Sequence, residues 1–578
     1  MRESFAGWLL CCLLSATVCN AAFAEERQVE LLPKQKQQHP IAFSQVQLRG
    51  ELGARYVAAT CNLLTRTDRY SLDSFAASAA ARPGALWWDW PGDQIGRWLS
   101  VLHVAEGLGW TPAAANRKAV ADVILRLQTA DGNFGKPGSL KSDDARIPSG
   151  NAFALRGLMD AYADTHDPRF LEAARRLGRY FEAIAPWWEK TPEGKLHEFY
   201  GHCLDGLVAL NEQGGDQWAL DLAKRLAKNA GRTQHTHHSL SLCRGLIDLA
   251  RVTGDKEYLK KAENYLAWCR ENLTVSGGLP EEMPKSEQDE GCGLADWIVV
   301  NLMMFQLTGD DRYVGDAEHT LVNHFFMNQF RTGGFGHRSF SQEIIGGKHW
   351  QGWDGKFGSE NPGCCSLWGQ WALGQVGRFI VTESAGTISV NLYPSAEIAL
   401  PDRGVRLQIS SDFPRMSRLR IRVECEKPQR FTLALRTPEW ASSLDVFADK
   451  EVLDDLDTAS SDRNRWLRMS REWKGATDID IKFPAKVCVV PRFWRNTKDV
   501  TVVDGPLCLG LSSSEADIDL PWAVKLDAAG KPALDAAGRP QVVDPSGKTT
   551  KPLEPINSRW LTPDEKDPAR WRILFQRK

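Results

Sequence analysis

The stretch TGDKEYLKKAENY at residues 253–265 decides the fold of the first half of this chain. Similar phrases stand at 166–177 (HDPRFLEAARRL), 215–226 (GDQWALDLAKRL) and 308–320 (TGDDRYVGDAEHT). Each phrase places an Asp before apolar residues that recur at three- and four-residue spacing, so each predicts the capped start of a helix. The repeats stand roughly 40 to 55 residues apart, about one helical hairpin each, and their capping residues are Asp167, Asp216, Asp255 and Asp310.

Helical periodicity extends over residues 51–382, where repeated hairpins are compatible with an open solenoid or with a closed α/α toroid. Beyond residue 383, apolar and polar residues alternate, as in GVRLQIS at 404–410 and LRIRVEC at 419–425, which predicts a β-sandwich. The chain is therefore expected to be multidomain and mainly helical. Its predicted segments are a signal peptide (1–24), an N-terminal extension (25–50), a helical domain (51–382), a β-sandwich (383–512) and a C-terminal extension (513–578).

The first 24 residues have the pattern of an export signal. Arg2 precedes an apolar run at 8–18, and Ala22 and Ala24 supply small residues at the positions that signal peptidase reads, which predicts cleavage after Ala24. A secreted or periplasmic location is therefore expected, with no membrane association beyond export. The formal net charge of −2 argues against a nucleic-acid partner, because such partners require a basic surface.

Most of the 13 cysteines are explained by the leader or by packing in apolar segments. Three fall in the leader, where they are lost on cleavage. Seven others lie in helix-like or strand-like apolar runs, a context typical of small buried side chains: Cys61, Cys203, Cys243, Cys269, Cys425, Cys488 and Cys508. Only three cysteines of the mature chain then need another explanation.

These three form a metal-binding pattern with one glutamate. Cys292 follows Glu290 after a single glycine, and Cys364 and Cys365 are adjacent. One carboxylate and three thiolates suit tetrahedral Zn²⁺. From spacing alone, such a donor set is more often a closed structural site than a catalytic one, so structural zinc stays open as an alternative. A disulfide between the two adjacent cysteines is a rarer one.

The Glu-x-Cys motif, the Cys-Cys pair, the helical repeats and the late motif VVDGPLCLGL together resemble the β-L-arabinofuranosidases of glycoside hydrolase family 127 and its relatives, over roughly residues 45–512. The resemblance implies an (α/α)6 barrel followed by a β-sandwich, a Zn²⁺ ion and a cysteine nucleophile. It makes Cys364 the nucleophile and Glu290, Cys292 and Cys365 its companions on the metal. The thiolate would attack the anomeric carbon, and water would then release the sugar with retention.

Such a mechanism also needs a carboxyl group that protonates the leaving oxygen and later activates water. In the family this is a Glu that follows a Gly-Gly pair. Here Gly277 and Gly278 precede two candidates, Glu281 and Glu282, of which Glu282 is slightly favoured. A solvated acidic loop is the alternative for either residue, because exposed carboxylates are the norm.

Sugar contacts are predicted from the same resemblance, with His237 and His238 as near alternatives to the first of them. The predicted contacts are His235, His202, Trp88 and Asp89. Each has a commoner role as an alternative: capping or surface exposure for a histidine near a helix start, and packing for the aromatic segment.

Two departures from the family leave the sugar open. Ser366-Leu367-Trp368 stands where the family usually has Pro-Pro-Asn, and the linker before Glu290 is about half the usual length. The expected substrate is a plant- or microbe-derived oligosaccharide or polysaccharide, and the sequence carries no signal of oligomeric state. Two alternatives remain: another α/α-toroid enzyme, such as an unsaturated-uronide hydrolase or lyase, and a non-catalytic carbohydrate-binding protein with structural zinc.

Overall fold

A computed structural model describes these residues: 29–65, 70–85, 87–142, 144–189, 202–231, 233–284, 286–338, 344–345, 363–441, 444–448, 456–457, 465–484, 486–491, 499–513, 516–558 and 570–577. All predicted site residues lie within these ranges. The predicted signal peptide lies outside them, and so do most residues between His337 and Cys364.

Thirteen helices of at least eight residues occur in the described part of the chain. They are α1 (Gly50–Thr65), α2 (Leu72–Ala79), α3 (Asp93–Gly107), α4 (Pro112–Val123), α5 (Arg146–Thr165), α6 (Pro168–Trp188), α7 (Leu204–Gly214), α8 (Gln217–Asn229), α9 (Thr236–Thr253), α10 (Lys256–Asn272), α11 (Gly291–Thr308), α12 (Arg312–Thr320) and α13 (Cys364–Phe379). A π-helical turn (Leu321–Phe325) and a short turn (Phe326–Asn328) continue α12.

Alternate helices form a closed inner ring. Helix α3 packs on α5, α5 on α7, α7 on α9, α9 on α11, α11 on α13, and α13 returns to α3. Each inner helix also packs against an outer partner: α4, α6, α8, α10, α12 and, for α13, α1. Six hairpins that close on themselves make an (α/α)6 barrel. The structure thus selects the toroid over the open solenoid.

The repeated Asp phrases lie at the turns between inner and outer helices. As predicted, Asp167, Asp255 and Asp310 each accept a hydrogen bond from the backbone N–H two residues later, at 3.0–3.1 Å. The prediction is wrong for Asp216, which makes no such bond at the start of α8. Its carboxylate instead accepts from the side chains of Arg175 and Trp218, so each of its oxygens already has a donor.

Helix α11 shows why the inner ring is so apolar. Eighteen residues from Gly291 to Thr308 are long and apolar enough to cross a membrane, and 83% of this window is buried inside the protein. Because its neighbours in the ring cover it on all sides, an even apolar surface replaces the amphipathic pattern of an exposed helix. It is a core helix that positions Cys292 near its first turn.

The β region comprises two sheets, and the strands of the first are β1 (His39–Pro40), β2 (Val46–Leu48), β4 (Val381–Ser384), β5 (Thr387–Val390), β6 (Ala396–Leu400), β7 (Val405–Ser411), β8 (Leu419–Arg436), β9 (Asp445–Phe447), β10 (Leu456–Asp457) and β11 (Trp466–Lys482). Strand β8 pairs with β7 through its first half and, in parallel, with β5 through its second half, while β11 pairs along both. The sheet therefore curls, and its inner apolar face forms the predicted sandwich core.

Strands β1 and β2 precede the barrel but pair with β4 and β6. The segment that the sequence indicated as an N-terminal extension (25–50) therefore contributes residues 39–40 and 46–48 to the first sheet. It ties the start of the barrel to the β region.

The second sheet consists of β3 (Ile344–Ile345), β12 (Val487–Pro491), β13 (Asp499–Asp504), β14 (Leu507–Ser513), β15 (Ala523–Val524), β16 (Gln541–Val543), β17 (Thr550–Pro552), β18 (Glu554–Pro555), β19 (Arg570–Arg572) and β20 (Phe575–Arg577). The predicted boundary between 512 and 513 cuts through β14, which pairs with β18 and β19. Residues 513–578 are therefore no appendage to the sandwich. Strands of two or three residues are too short to show alternation in the sequence.

Candidate active site

The N-terminal ends of three inner helices meet at one end of the barrel. Glu290 immediately precedes α11, and Cys292 is the second residue of that helix; Cys364 and Cys365 open α13. His235 immediately precedes α9. Free backbone N–H groups and the positive end of the helix dipole favour anions at such positions. The same geometry stabilises thiolates.

The four predicted metal ligands converge as the sequence indicated. The ligand atoms of Glu290, Cys292, Cys364 and Cys365 all lie within 4.8 Å of one another. Cys364 Sγ lies 3.5 Å from Glu290 Oε1 and 3.8 Å from Cys365 Sγ. Cys292 and Cys365 are completely buried, whereas Cys364 retains 7% of its surface. Cys364 is therefore the cysteine of the group that is open to a ligand. The region around Cys364, Glu281 and His235 is called the cleft below.

The electrostatics of this group call for a cation. Burial, and then the negative charge of Cys365, raise the pKa of Glu290 to about 8. Burial raises the pKa of Cys292 well above its ordinary value. Burial would do the same at Cys365, but hydrogen bonds from the sulfurs of Cys292 and Cys364 and the charge of His337 hold its pKa well below that value.

Each anion in this group therefore disfavours ionisation of its neighbours. A divalent cation removes this effect because it stabilises all four anions together. Three sulfurs and one carboxylate in a closed pocket match the donor chemistry of Zn²⁺. The residues present therefore fit the implied metal.

Of the two candidate acid/base residues, Glu281 faces this centre. Residues 281–283 run antiparallel to 234–236, since Thr236 N donates to Glu281 O (2.8 Å) and Met283 N donates to Gln234 O (2.9 Å). Successive side chains in such an extended segment point in opposite directions. Glu281 is half-buried and groups with His235 and Glu290, whereas Glu282 is exposed. The placement favours Glu281 over the slightly preferred Glu282.

His337, which sequence reasoning missed, links Glu281 to the sulfurs. Its Nδ1 lies 3.7 Å from Glu281 Oε2. Burial would lower the pKa of His337, but the charge of Cys365 and its contacts with Cys365 and Glu281 raise it well above its ordinary value. Burial would raise the pKa of Glu281, but the proximity and charge of His337 lower it. A lone His in the Gly-rich stretch 333–338 offers no spacing that sequence reasoning could use.

The predicted sugar contacts fall into two layers. His235 is half-buried, and its ring stacks on His238 at 4.0 Å. His202 is buried behind them, 4.6 Å from the His238 ring. Burial lowers the pKa of His235 to about 4, so the ring is neutral. Only His235 of these three belongs to the group formed with Glu281.

The segment Trp88-Asp89 lies just before α3, at the same end of the barrel. Both side chains are partly exposed, and Asp89 Oδ2 accepts from Arg146 Nη1 at 2.8 Å. Their neighbour Trp87 packs its indole nitrogen against Gly363, at a distance where any Cβ on Gly363 would overlap it. Trp87 therefore holds the turn that leads into Cys364, a contact with no signal in the sequence beyond the cluster of tryptophans.

A charged network underlies the centre. Arg97 Nη2 donates to His237 Nε2 (2.9 Å), and His237 Nδ1 in turn donates to Asp296 Oδ2 (2.6 Å). Asp296 also accepts from Trp368 Nε1 at 2.9 Å. These residues come from α3, α9, α11 and α13, so the network ties together the helices that carry the sulfurs. His237, a near alternative for sugar contact, is buried in this network instead.

A second buried pair supports the loop that carries His337. His324 Nε2 lies 2.5 Å from Asp289 Oδ2, and the other oxygen of Asp289 accepts from the backbone N–H of Arg338 at 2.7 Å. The His324 ring also occupies the space where Gly278 would carry a Cβ. This close approach explains why a glycine precedes Glu281.

The family comparison covers most of the chain. The β-L-arabinofuranosidase GH127 catalytic domain matches residues 20–336, and the GH127 middle domain matches residues 387–485. Glu281, Glu290 and Cys292 lie inside the first match, whereas Cys364 and Cys365 lie between the two.

Solved structures share the fold. A GH127 β-arabinofuranosidase is 15% identical, with a TM-score of 0.69 over 95% of this chain and 99% of that chain. A GH127 β-L-arabinofuranosidase from Geobacillus stearothermophilus T6 is 14% identical, with a TM-score of 0.67 over 92% and 100% of the two chains. At these identities the likeness establishes the fold alone. No curated protein sequence matches the chain. On the family match, which spans more than half of its residues, this chain belongs to the GH127 β-L-arabinofuranosidase family of glycoside hydrolases.

Proposed function

We propose that the protein is a retaining glycosidase that releases β-linked L-arabinofuranose, with Cys364 as nucleophile and Glu281 as acid/base. Glu290, Cys292 and Cys365 would hold Zn²⁺ together with Cys364. When bound, the ion would keep the sulfurs deprotonated near neutral pH.

One observation carries the assignment of Cys364. It is the one residue of the three cysteines that retains accessible surface, while Cys292 and Cys365 have none. A nucleophile has to reach the anomeric carbon, and a fully enclosed ligand does not. A purely structural site has no need for this asymmetry.

The proposed reaction has two balanced steps. In the first, a bond forms between Cys364 Sγ and the anomeric carbon as the glycosidic C–O bond breaks, and the leaving oxygen takes a proton from Glu281. In the second, a water oxygen attacks the same carbon and gives a proton to Glu281, and the thiolate leaves. Two inversions at one carbon give overall retention.

The surroundings of Cys364 support this reaction. Its place at the start of α13 exposes the developing and departing anionic sulfur to free backbone N–H groups. Gln288 Nε2 donates to Glu281 Oε2 and so restrains that carboxylate. His235, which groups with Glu281 and Glu290, is the proposed hydrogen-bond partner of a sugar hydroxyl.

The proposal extends to the substrate source and to the place of action. The pattern of the first 24 residues supports export to the periplasm or beyond, where plant- or microbe-derived oligosaccharides and polysaccharides are available. Mass spectrometry of the protein from a native host checks this, with cleavage after Ala24 as the expected result.

The central test is covalent trapping. The protein is treated with an arabinofuranosyl inhibitor that alkylates the catalytic nucleophile, then digested and sequenced by mass spectrometry, with zinc measured on the same preparation. The expected result is one zinc ion per chain or more and one sugar adduct on the peptide that contains Cys364. An adduct on a carboxylate refutes the thiolate mechanism. Turnover that persists in zinc-free protein also refutes it.

The non-catalytic alternative makes the opposite prediction. If the zinc were only structural, Cys364→Ser would lower the metal content and the melting temperature together, and the wild type would turn over no glycoside. A panel of aryl pentofuranosides and pyranosides separates this outcome from a different sugar preference.

A further inference from the structure

We propose that the cleft contains a second divalent-cation site, formed by His235 Nε2, Glu281 and Glu290, and that its occupation inhibits the enzyme. The inhibition rests on the proposed acid/base role of Glu281, whereas the binding does not. The ligand class is a first-row divalent cation such as Zn²⁺, in addition to the ion held by the sulfurs.

The three side chains have the spacing of metal ligands. One donor atom from each lies within 4.8 Å of the other two. His235 Nε2 and Glu290 Oε2 are 3.7 Å apart, too far for a hydrogen bond. Two ligands on a tetrahedral zinc ion, each about 2.1 Å from it, stand roughly 3.4 Å apart. The observed gap is therefore close to the gap that an ion would span.

Glu290 presents a different oxygen to each site. Its Oε1 lies 3.5 Å from Cys364 Sγ, on the side of the sulfurs. Its Oε2 is buried, faces His235, and accepts no hydrogen bond from any residue that the structure describes. A buried carboxylate oxygen without a donor is costly, and a cation is the partner that its surroundings can supply. The carboxylate is thus placed to bridge two ions.

The second site differs from the sulfur site in access and in chemistry. The side chains of His235 and Glu281 are each 21% exposed, whereas Cys292 and Cys365 are completely buried. One imidazole and two carboxylates make a harder donor set than three thiolates. Three protein ligands also leave a position for water. The second ion should therefore bind more weakly than the first and exchange freely with solvent.

Occupation of this site would block the reaction. A cation on Glu281 holds it as a carboxylate, so it has no proton for the leaving oxygen. The same ion would occupy the ring nitrogen of His235 that faces the cleft. We expect saturating zinc to lower turnover of an aryl arabinofuranoside by at least about tenfold, since general acid catalysis typically contributes 10²–10⁴-fold.

The test measures ions per chain by equilibrium dialysis against Zn²⁺ and, separately, by titration with Co²⁺. Wild type is expected to bind one ion tightly and a second weakly. The first Co²⁺ should give thiolate-to-metal charge-transfer absorption, and the second should add ligand-field bands without increasing it. Glu281→Gln and His235→Ala should each retain the first ion and lose the second.

Glu282→Gln is the matched control, because it removes the adjacent carboxylate that faces the other way; it should bind two ions. The first ion reports that each variant is folded. Wild type that binds a single ion at millimolar zinc overturns the inference, and so does a second ion that survives Glu281→Gln. If two ions bind as expected but trapping labels no cysteine, the proposed function fails and the second site stands.

Discussion

Two sets of buried cysteines in the same barrel have different surroundings. Cys243 and Cys269 lie in the interiors of α9 and α10, both completely buried, and Cys243 Sγ contacts the carbonyl of Ala262 at 3.9 Å. Burial raises the pKa of Cys243 well above its ordinary value. These thiols are packing groups. Their burial equals that of Cys292 and Cys365, so burial does not decide which cysteine belongs to the candidate metal centre.

The neighbours of each sulfur decide whether it belongs to the candidate metal centre. Cys292, Cys364 and Cys365 stand in the first turns of two helices that converge on Glu290, whereas Cys243 is surrounded by helix interiors. Cys203 is the informative intermediate: it stands at the start of α7, yet burial and the nearby Asp205 raise its pKa. A helix N-terminus is therefore not sufficient, and the convergence of several donors is what makes the candidate metal centre.

The strongest test of this difference is to replace one cysteine from each set. Cys364→Ser should lower kcat/KM on the order of 10⁴-fold or more, because a hydroxyl is a far weaker nucleophile at neutral pH. Cys243→Ser should leave kcat/KM within about threefold while lowering the unfolding free energy by about 1–2 kcal/mol. Steady-state kinetics and urea unfolding of both variants check this. Similar kinetic losses in the two variants would contradict the distinction.

The same contrast applies to two adjacent carboxylates. Glu281→Gln should lower turnover by about 10²–10⁴-fold, since it removes the proposed proton donor, whereas Glu282→Gln should change it by less than about threefold. An aryl substrate with a good leaving group should partly rescue the first step for Glu281→Gln. If Glu282→Gln were the damaged variant, the assignment made from the direction of the side chains would be wrong.

The layer below the sulfurs gives a pH-dependent prediction. Burial would raise the pKa of Asp296, but Arg244 and His237 lower it to about 2. Because the folded-state pKa lies below the unfolded one, its stabilisation is complete above about pH 4 and is lost as the pH falls toward 2. Asp296→Asn should therefore cost about 2 kcal/mol at pH 7 and flatten the acid limb of the stability curve.

Urea unfolding between pH 7 and pH 3 measures this effect, and Asp480→Asn is the matched control. Asp480 pairs with Arg420 at 2.7 Å on the exposed face of β11, where a salt bridge typically contributes less than about 1 kcal/mol. An equal loss of unfolding free energy in the two variants would show that the buried network does not stabilise the barrel.

The smallest expected effect concerns Cys203, which stands at a helix start but outside the candidate metal centre. Cys203→Ala should leave the zinc content and turnover unchanged and lower the unfolding free energy by about 1 kcal/mol, because only packing is lost. Metal analysis and thermal unfolding check it. A loss of zinc from this variant would show that a helix start can recruit a sulfur to the metal without the converging donors.

The sequence predicted best those features whose residues stand close together along the chain. Glu290, Cys292 and the adjacent Cys364 and Cys365 stand out because soft donors in such a pattern have few other uses. The capped helix starts were predictable for the same reason, since Asp and its N–H donor are two residues apart. The prediction failed at Asp216 because its carboxylate binds two side chains instead of the backbone. Arg175 comes from another helix, and Trp218 binds through its indole N–H.

Other features depend on contacts that no local pattern encodes. Closure of the ring requires α13 to pack on α3, two helices separated by most of the barrel sequence. His337 reaches Glu281 through a Gly-rich loop, and Arg97 meets His237 across the barrel. The choice between Glu281 and Glu282 depended on the phase of a single extended segment, and a shift of one residue reverses which carboxylate faces the cleft.

The pairing of β3 with β19 has a consequence for how the protein matures. Ile345 lies between His337 and Cys364 along the chain, and its strand partner is Trp571. Strand β3 is thus anchored by a strand that is synthesised much later in the chain. A ribosome-bound chain can close its helical ring before β19 exists, so full activity should await the synthesis of β19. Removal of residues 570–577 should weaken catalysis without opening the barrel.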